Sequence, residues 1–298
     1  MQKRIGVLVD SSCTYDETFL RQHKIEVIPL SFSDAQNQTY DDDNQSITRE
    51  KLLERLDQKE SFKTSATPIG KLIEKAEQML KNYDQIIFLP ISIGLSSQYM
   101  QSLIVQQDLI GKFFPIRSTS GGAANEFVLY KIVELIAANK DVAEIIAAAE
   151  NMYKYIDTYF SCEDLSGMSS GGRITKTIMK VINLFKLKPI IHLDNKNLYG
   201  GIGKNYRTII RKIIDLIKED FHNSLTVAQI KHIAIYYSGY PETKKNDILD
   251  FISQGFNFPR EKILVRWVPS VVLIHAHRGA YGLTIETTIE RKVHNTDE

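Results

Sequence analysis

Residues 86–99, Ile86-Ile87-Phe88-Leu89-Pro90-Ile91-Ser92-Ile93-Gly94-Leu95-Ser96-Ser97-Gln98-Tyr99, take an apolar, β-leaning run straight into a glycine and hydroxyl turn that opens a helical pattern. In an open α/β sheet this sets Ser96, Ser97 and backbone N–H groups beside the carboxyl end of a strand, where ligands collect. The device recurs. Val7-Leu8-Val9 runs into Asp10-Ser11-Ser12, and Phe113–Ile116 runs into Arg117-Ser118-Thr119-Ser120-Gly121-Gly122. A fourth cluster, Thr64-Ser65-Ala66-Thr67-Pro68, opens another helix. Several hydroxyl-rich crevices point to a small anionic headgroup held by neutral donors. Singly, each such turn is an ordinary helix cap; their recurrence carries the inference.

The rhythm continues through the first half. Strand patterns at Ile5–Val9, Ile25–Phe32, Gln85–Ile91 and Phe113–Arg117 alternate with helix patterns at Arg49–Leu56 and Ile69–Leu80, and the helices Ala123–Ala138 and Val142–Tyr155 follow. This is a mostly parallel sheet covered by helices. Near Tyr159–Cys162 the pattern changes. Lys188–Leu193 and Leu198–Ile202 flank the hairpin turn Asp194-Asn195-Lys196-Asn197. Helices at Thr208–Lys218 and Glu242–Ser253 then alternate with strands at His232–Tyr237, Ile263–Trp267, Val271–His275 and Thr284–Thr288. The reading is an α/β chain of two domains: residues 1–157, a mostly parallel sheet with helices, and residues 158–298, α+β in character.

Charge excludes some functions. Lys and Arg number 37 against 36 Asp and Glu, a net charge of +1, so nothing favours nucleic acid or an anionic membrane surface. Asp41-Asp42-Asp43 reads as a solvated loop. Cys13 and Cys162 form no C-x-x-C pair and suit a reducing compartment. The apolar stretch after Lys3 and Arg4 ends at Asp10, too short for a signal peptide, and no run is long enough to span a membrane. A cytoplasmic protein is expected, with at most transient membrane contact.

Three motifs have competing readings. Gly167-Met168-Ser169-Ser170-Gly171 matches the G-x-S-x-G nucleophile elbow, with later Asp and His residues available. A strand running directly into Ser169 is missing, so a plain loop fits better than a serine esterase. Gly171-Gly172-Arg173-Ile174 puts a guanidinium at the head of the amphipathic run Ile174, Ile178, Val181, Ile182, Phe185. A cation there sits badly with the helix dipole, so it either meets a specific anion or forms a surface ion pair. His275 and His277 have the spacing of metal ligands but no third ligand at a recognisable distance. No metal site and no cofactor is expected.

In order along the chain, these pieces resemble the DegV family, bacterial fatty-acid-binding proteins that serve fatty-acid kinase. The resemblance rests on Val9-Asp10-Ser11-Ser12, Ile25-Glu26-Val27-Ile28-Pro29-Leu30, Lys63-Thr64-Ser65 and Ile91–Tyr99. In the second half it rests on Glu163-Asp164-Leu165 with Gly171-Gly172-Arg173-Ile174, and on Leu187-Lys188-Pro189-Ile190-Ile191. The resemblance implies two α/β domains with a lipid tunnel at and near their interface. It also implies an acyl carboxylate held by Thr64 and Ser96, with Ser65 and Ser97 beside them and Arg173 and His275 nearby. The departures are His277-Arg278 in place of Gly-Pro, Ser97 in place of glycine and Arg117 in place of aspartate. Asn205-Tyr206-Arg207 matches only loosely a basic segment used to meet the kinase.

The expected function is therefore a carrier without catalysis of its own. It binds a long-chain fatty acid and presents the carboxylate to the catalytic subunit of a fatty-acid kinase, for acyl-phosphate formation in phospholipid synthesis. The alternatives are a serine esterase using Ser169 and a regulator that binds a small carboxylate or lipid without serving any kinase.

Overall fold

The computed structural model describes residues 3–163, 167–168 and 187–292. Ser169, Ser170, Arg173 and the stripe from Ile174 to Phe185 lie outside the described residues. The chain forms two compact units, Met1–Asn151 with Val268–Ile274, and Met152–Trp267 with His275–Glu298.

The first unit opens with β1 (Ile5–Asp10), α1 (Glu17–His23), β2 (Glu26–Ile28), β3 (Ser31–Asp34) and β4 (Thr39–Asp41). It continues with α2 (Arg49–Asp57), β5 (Phe62–Ser65), α3 (Ile69–Leu80), β6 (Gln85–Leu89), α4 (Gln98–Asp108), β7 (Phe113–Pro115), α5 (Ala123–Ala137) and α6 (Val142–Met152). One sheet has the order β2-β1-β6-β7 with every pair parallel. Its strands are continuous apolar runs because helices cover them. Leu8, Ile86, Phe88 and Phe113 pack against Leu72, Ala76 and Met79 of α3 and Val105 of α4. From β1 the chain goes to β2 on one side and later to β6 on the other. The carboxyl ends of β1 and β6 therefore flank a topological switch point.

A second, antiparallel sheet has the order β4-β3-β5. It corrects three sequence expectations. Ile25–Phe32 is not one strand, because Pro29 has no N–H to donate and the chain changes sheet there. Thr64 and Ser65 belong to β5, paired with Phe32 and Ser31, rather than to a turn. Asp42 is buried, so the acidic triplet is not simply a solvated loop.

The second unit contains β8 (Ile156–Ser161), β9 (Lys188–Asp194), β10 (Lys196–Gly203), α7 (Tyr206–Asp220), β11 (Ile230–Tyr237), α8 (Glu242–Phe256), β12 (Leu264–Trp267) and β13 (Tyr281–Thr287). Its six strands run β10-β9-β8-β13-β11-β12, and only β11 and β12 are parallel. Ile209, Ile213 and Ile217 of α7 and Ile248 and Ile252 of α8 are buried in one cluster with Ile233, Ile235, Leu283 and Ile285 of the sheet. The β9–β10 turn is tighter than the four residues expected. Asp194 already pairs with Lys196, and Asn195 takes the left-handed conformation (φ 61°) that closes it.

Val271–His275 corrects another expectation. It lies in a helix, α9 (Ser270–Ala276), although its Val and Ile content favours a strand. Pro269 interrupts extended pairing, and its carbonyl accepts from Val272 and Leu273 N–H at 2.9 Å, closing the first turn. The Val271 N–H donates to Asp42 Oδ2 at 3.4 Å. Residues Val268–Ile274 group with the first unit, although they fall inside the span 158–298 expected for the second domain.

Asp42 also accepts from Ser11 Oγ at 3.0 Å. Asp42→Ala leaves both donors unpaired in a buried setting and is expected to cost about 1–3 kcal/mol of stability in urea unfolding. A change below 0.5 kcal/mol would show that water replaces the carboxylate there.

Candidate ligand site

Three loops leave the carboxyl ends of β1, β6 and β7, and one buried carboxylate joins the first two. Asp10 Oδ1 accepts from Ser12 N–H at 3.0 Å and Ser12 Oγ at 2.5 Å, and Asp10 Oδ2 accepts from Ile91 N–H at 2.6 Å. Burial pushes the Asp10 carboxyl up to about 6, although these donors pull the other way. Ser11 Oγ bridges outward, accepting from Leu30 N–H at 3.0 Å while donating to Asp42.

The β6 and β7 loops are joined mainly by backbone. Ser92 N–H donates to Ser120 O at 2.8 Å, and Ser118 Oγ bonds Ser120 O and Asn125 Oδ1 at 2.9 and 3.0 Å. Asn125 Nδ2 reaches back to Pro90 O at 3.0 Å. At Gly122 (φ 58°) the chain turns into α5, and Gly122 N–H donates to Ser12 O at 2.9 Å. The three loops are therefore one hydrogen-bonded body at the switch point.

Thr67 ties in the fourth cluster. Its N–H donates to Gln98 Oε1 at 2.8 Å and its hydroxyl donates to Pro29 O at 2.8 Å. Thr64-Ser65 and Ser96-Ser97 are thereby brought to one region of the first unit, because Thr67 follows Thr64 by three residues and Gln98 begins α4. Thr64 and Ser96 are half-buried, whereas Ser65 and Ser97 are exposed. Ser96 Oγ accepts from Gln98 N–H at 3.2 Å, which keeps its own O–H as a donor. Ser97 is the N-cap residue of α4 but makes no side-chain cap bond.

His275 lies in the second unit near the end of α9, half-buried, with Nδ1 3.2 Å from Gly167 O. His277 follows in a left-handed conformation (φ 58°), and Arg278 Nη1 donates to Gly239 O at 3.1 Å. Arg173 is outside the described residues. A surface groove of 740 Å³, lined by Ile5, Gln85, Phe114, Val142 and Ile146, lies at the amino end of the parallel sheet, away from the hydroxyl loops.

Sequence reasoning marked the hydroxyls, Thr67 among them, and missed the groups that hold them: Asp10 as the common acceptor, Asp42, Gln98 and Asn125. The one readable signal was Asp-Ser-Ser directly after an apolar strand, a spacing at which Asp accepts from the second following N–H.

Comparison with known proteins gives a consistent result. The family model described as "Uncharacterised protein, DegV family" matches residues 4–288. A DegV domain-containing protein from Ureaplasma parvum is 30% identical over 292 residues, covering 98% of each chain. The same fold occurs in a fatty-acid-binding DegV family protein from Thermus thermophilus, with TM-score 0.83, 20% identity and coverage of 95% of this chain and 99% of that one. A stearic-acid-binding protein from Eubacterium ventriosum also aligns with TM-score 0.83, at 18% identity over 95% of this chain and 98% of that one.

The Asp10 shift gives a pH signature. The folded carboxyl holds its proton more tightly than the unfolded one, so between about pH 4 and pH 6 the native state binds more protons. This group's contribution to stability therefore falls as pH rises through that window and is flat above it. A carboxyl carbon titrating near 6 in NMR is the expected observation, and a midpoint below 4.5 would contradict it.

Proposed function

The chain belongs to the DegV family, and we propose that it binds a long-chain fatty acid and presents the carboxylate to a fatty-acid kinase. The observation that carries this reading is the meeting of Thr64 and Ser96 beside the hydrogen-bonded loops at the carboxyl ends of β1, β6 and β7, where Ser96 keeps its O–H as a donor at the start of α4. Neutral donors at a helix start suit a carboxylate, and charge-assisted bonds there are stronger than neutral ones. Binding of fatty acid by the Thermus and Eubacterium proteins supports the ligand class. An acyl tail supplies the affinity, at about 0.8 kcal/mol for each buried CH₂.

In this reading Thr64 and Ser96 hold the carboxylate, Ser65 and Ser97 flank it, and Arg173 and His275 act on presentation. The protein carries the acid without transforming it, in the cytoplasm. Among the described residues no helix is long and apolar enough to cross a membrane.

Mass spectrometry of the purified protein, native and then denatured, tests the ligand directly, since a fatty-acid mass should appear on denaturation. Thr64→Ala and Ser96→Ala are each expected to weaken retention by about 1.5–3 kcal/mol. Undiminished retention in the double variant would remove these residues from the site. Arg173→Ala should keep part of its lipid yet support acyl-phosphate formation poorly with a cognate kinase, whereas His275→Ala should lower both. Ser169→Ala separates the esterase reading, because a carrier keeps its lipid and a hydrolase loses an activity the wild type must first display.

A further inference from the structure

The second unit buries a polar group that the lipid reading leaves unused. Asp157 of β8, His192 of β9 and Asp220 at the end of α7 offer ligand atoms within 4.8 Å of one another, and all three are buried. His192 Nε2 lies 2.6 Å from Asp157 Oδ1. The Asp220 carboxyl is also within hydrogen-bonding reach of Asp157. Yet Asp157 Oδ2, on a residue only 2% exposed, meets no protein donor. Two carboxyls facing each other away from water need something positive between them.

We propose that Asp157, His192 and Asp220 bind one divalent transition-metal ion of the zinc class. The donor set fits, with one imidazole nitrogen and two carboxylates drawn from three different elements. The surroundings orient it. Tyr159 stacks on His192 with centroids 4.3 Å apart and planes 10° apart, and its hydroxyl donates to Asp220 Oδ2 at 2.6 Å. These contacts fix the ring and one carboxylate as outer partners of a metal site do. Charge fits as well. Nearby Arg291 donates from Nη2 to Asp194 Oδ1 at 2.8 Å and from Nε to Tyr153 O at 3.3 Å, while its buried Nη1 has no hydrogen-bond partner among the described residues, so it contributes one positive charge beside the cluster. With His192 neutral, the three aspartates and one arginine leave two negative charges, which one divalent ion neutralises. Seating the ion parts the His192–Asp157 contact to roughly 3.3 Å, the ligand separation around a tetrahedral zinc.

A proton on His192 offsets part of the same charge without a metal. Burial disfavours the His192 proton, but Asp157 beside it raises the imidazole above its ordinary value, so loading competes with that proton. Elemental analysis of full-length protein purified without chelator or affinity metal decides between them. About one equivalent of zinc or a similar ion per chain is expected, with a melting temperature that falls on chelation and recovers with added Zn²⁺. Tyr159→Phe keeps all three ligands and the fold, and should weaken Zn²⁺ affinity about 10- to 100-fold. His192→Gln should abolish loading. A metal-free protein whose melting temperature ignores both Zn²⁺ and chelator, with an imidazolium at residue 192 in NMR, would overturn the proposal.

Discussion

Burying a carboxylate where two parallel strands end is costly unless donors surround it, and Asp10 is surrounded. Its oxygens take the N–H and hydroxyl of Ser12 and the N–H of Ile91. The bond to Ile91 reaches between adjacent strands, so the loops after β1 and β6 cannot move independently. Ser11 extends the same network to Leu30 and Asp42, and Asp42 reaches the first turn of α9. One residue at a strand end thus connects the parallel sheet, the small antiparallel sheet and a segment that returns from late in the chain. The hydroxyls around it are held by this frame more than by their own local turns.

The two units treat polar groups differently. In the first unit the group around Asp10 gathers at strand ends, where loop amides and hydroxyls supply its partners. In the second such groups lie inside the sheet body, between β8, β9 and α7, where every partner must be internal. There Tyr159 serves twice, as an aromatic face for His192 and as a donor to Asp220. The β8–β13 contact beside it is close: a Cβ added at Gly282 would lie 2.6 Å from Tyr159 O and from the Phe160 Cβ. Backbone packing this tight fixes the strands, so any adjustment within the polar cluster falls to its side-chain torsions.

Elements whose periodicity and punctuation agree were legible in the sequence. Residues Ile69–Leu80 form a helix with those bounds because Leu72, Ala76 and Met79 fall on one face and Pro68 stands just before the first turn. Strands β1 and β6 were legible as the apolar runs Ile5–Val9 and Gln85–Ile91, although β1 extends to Asp10 and β6 stops at Leu89, before Pro90. What failed was decided by distant contacts. The Val271–Ile274 run looks like a strand, and becomes a helix through Pro269 and a partner at Asp42, more than two hundred residues earlier. The acidic triplet looks solvated, and Asp42 is buried because Ser11 and Val271 come to it from elsewhere. Short strands such as β4 and β5 carry too few residues for alternation to show. The hydroxyl residues were legible as donors, but their placement on strand or turn was not.

The same distinction explains why the candidate headgroup region could be read from sequence while its support could not. Ser96 and Thr64 advertise their chemistry by residue type, and the glycine and proline near them mark the ends of elements. Gln98 and Asn125 look like ordinary polar residues on helices. Their importance arises only when folding buries both, and each then satisfies a main-chain group of another loop, Thr67 N–H for Gln98 and Pro90 O for Asn125. Asn125 uses its oxygen and its nitrogen at once, accepting from Ser118 Oγ and donating to Pro90 O, so it fixes the spacing of two loops more strictly than a single hydroxyl contact can. Thr64 and Ser96 therefore sit on a scaffold whose spacing is set by Gln98 and Asn125, residues that the hydroxyl pattern does not single out.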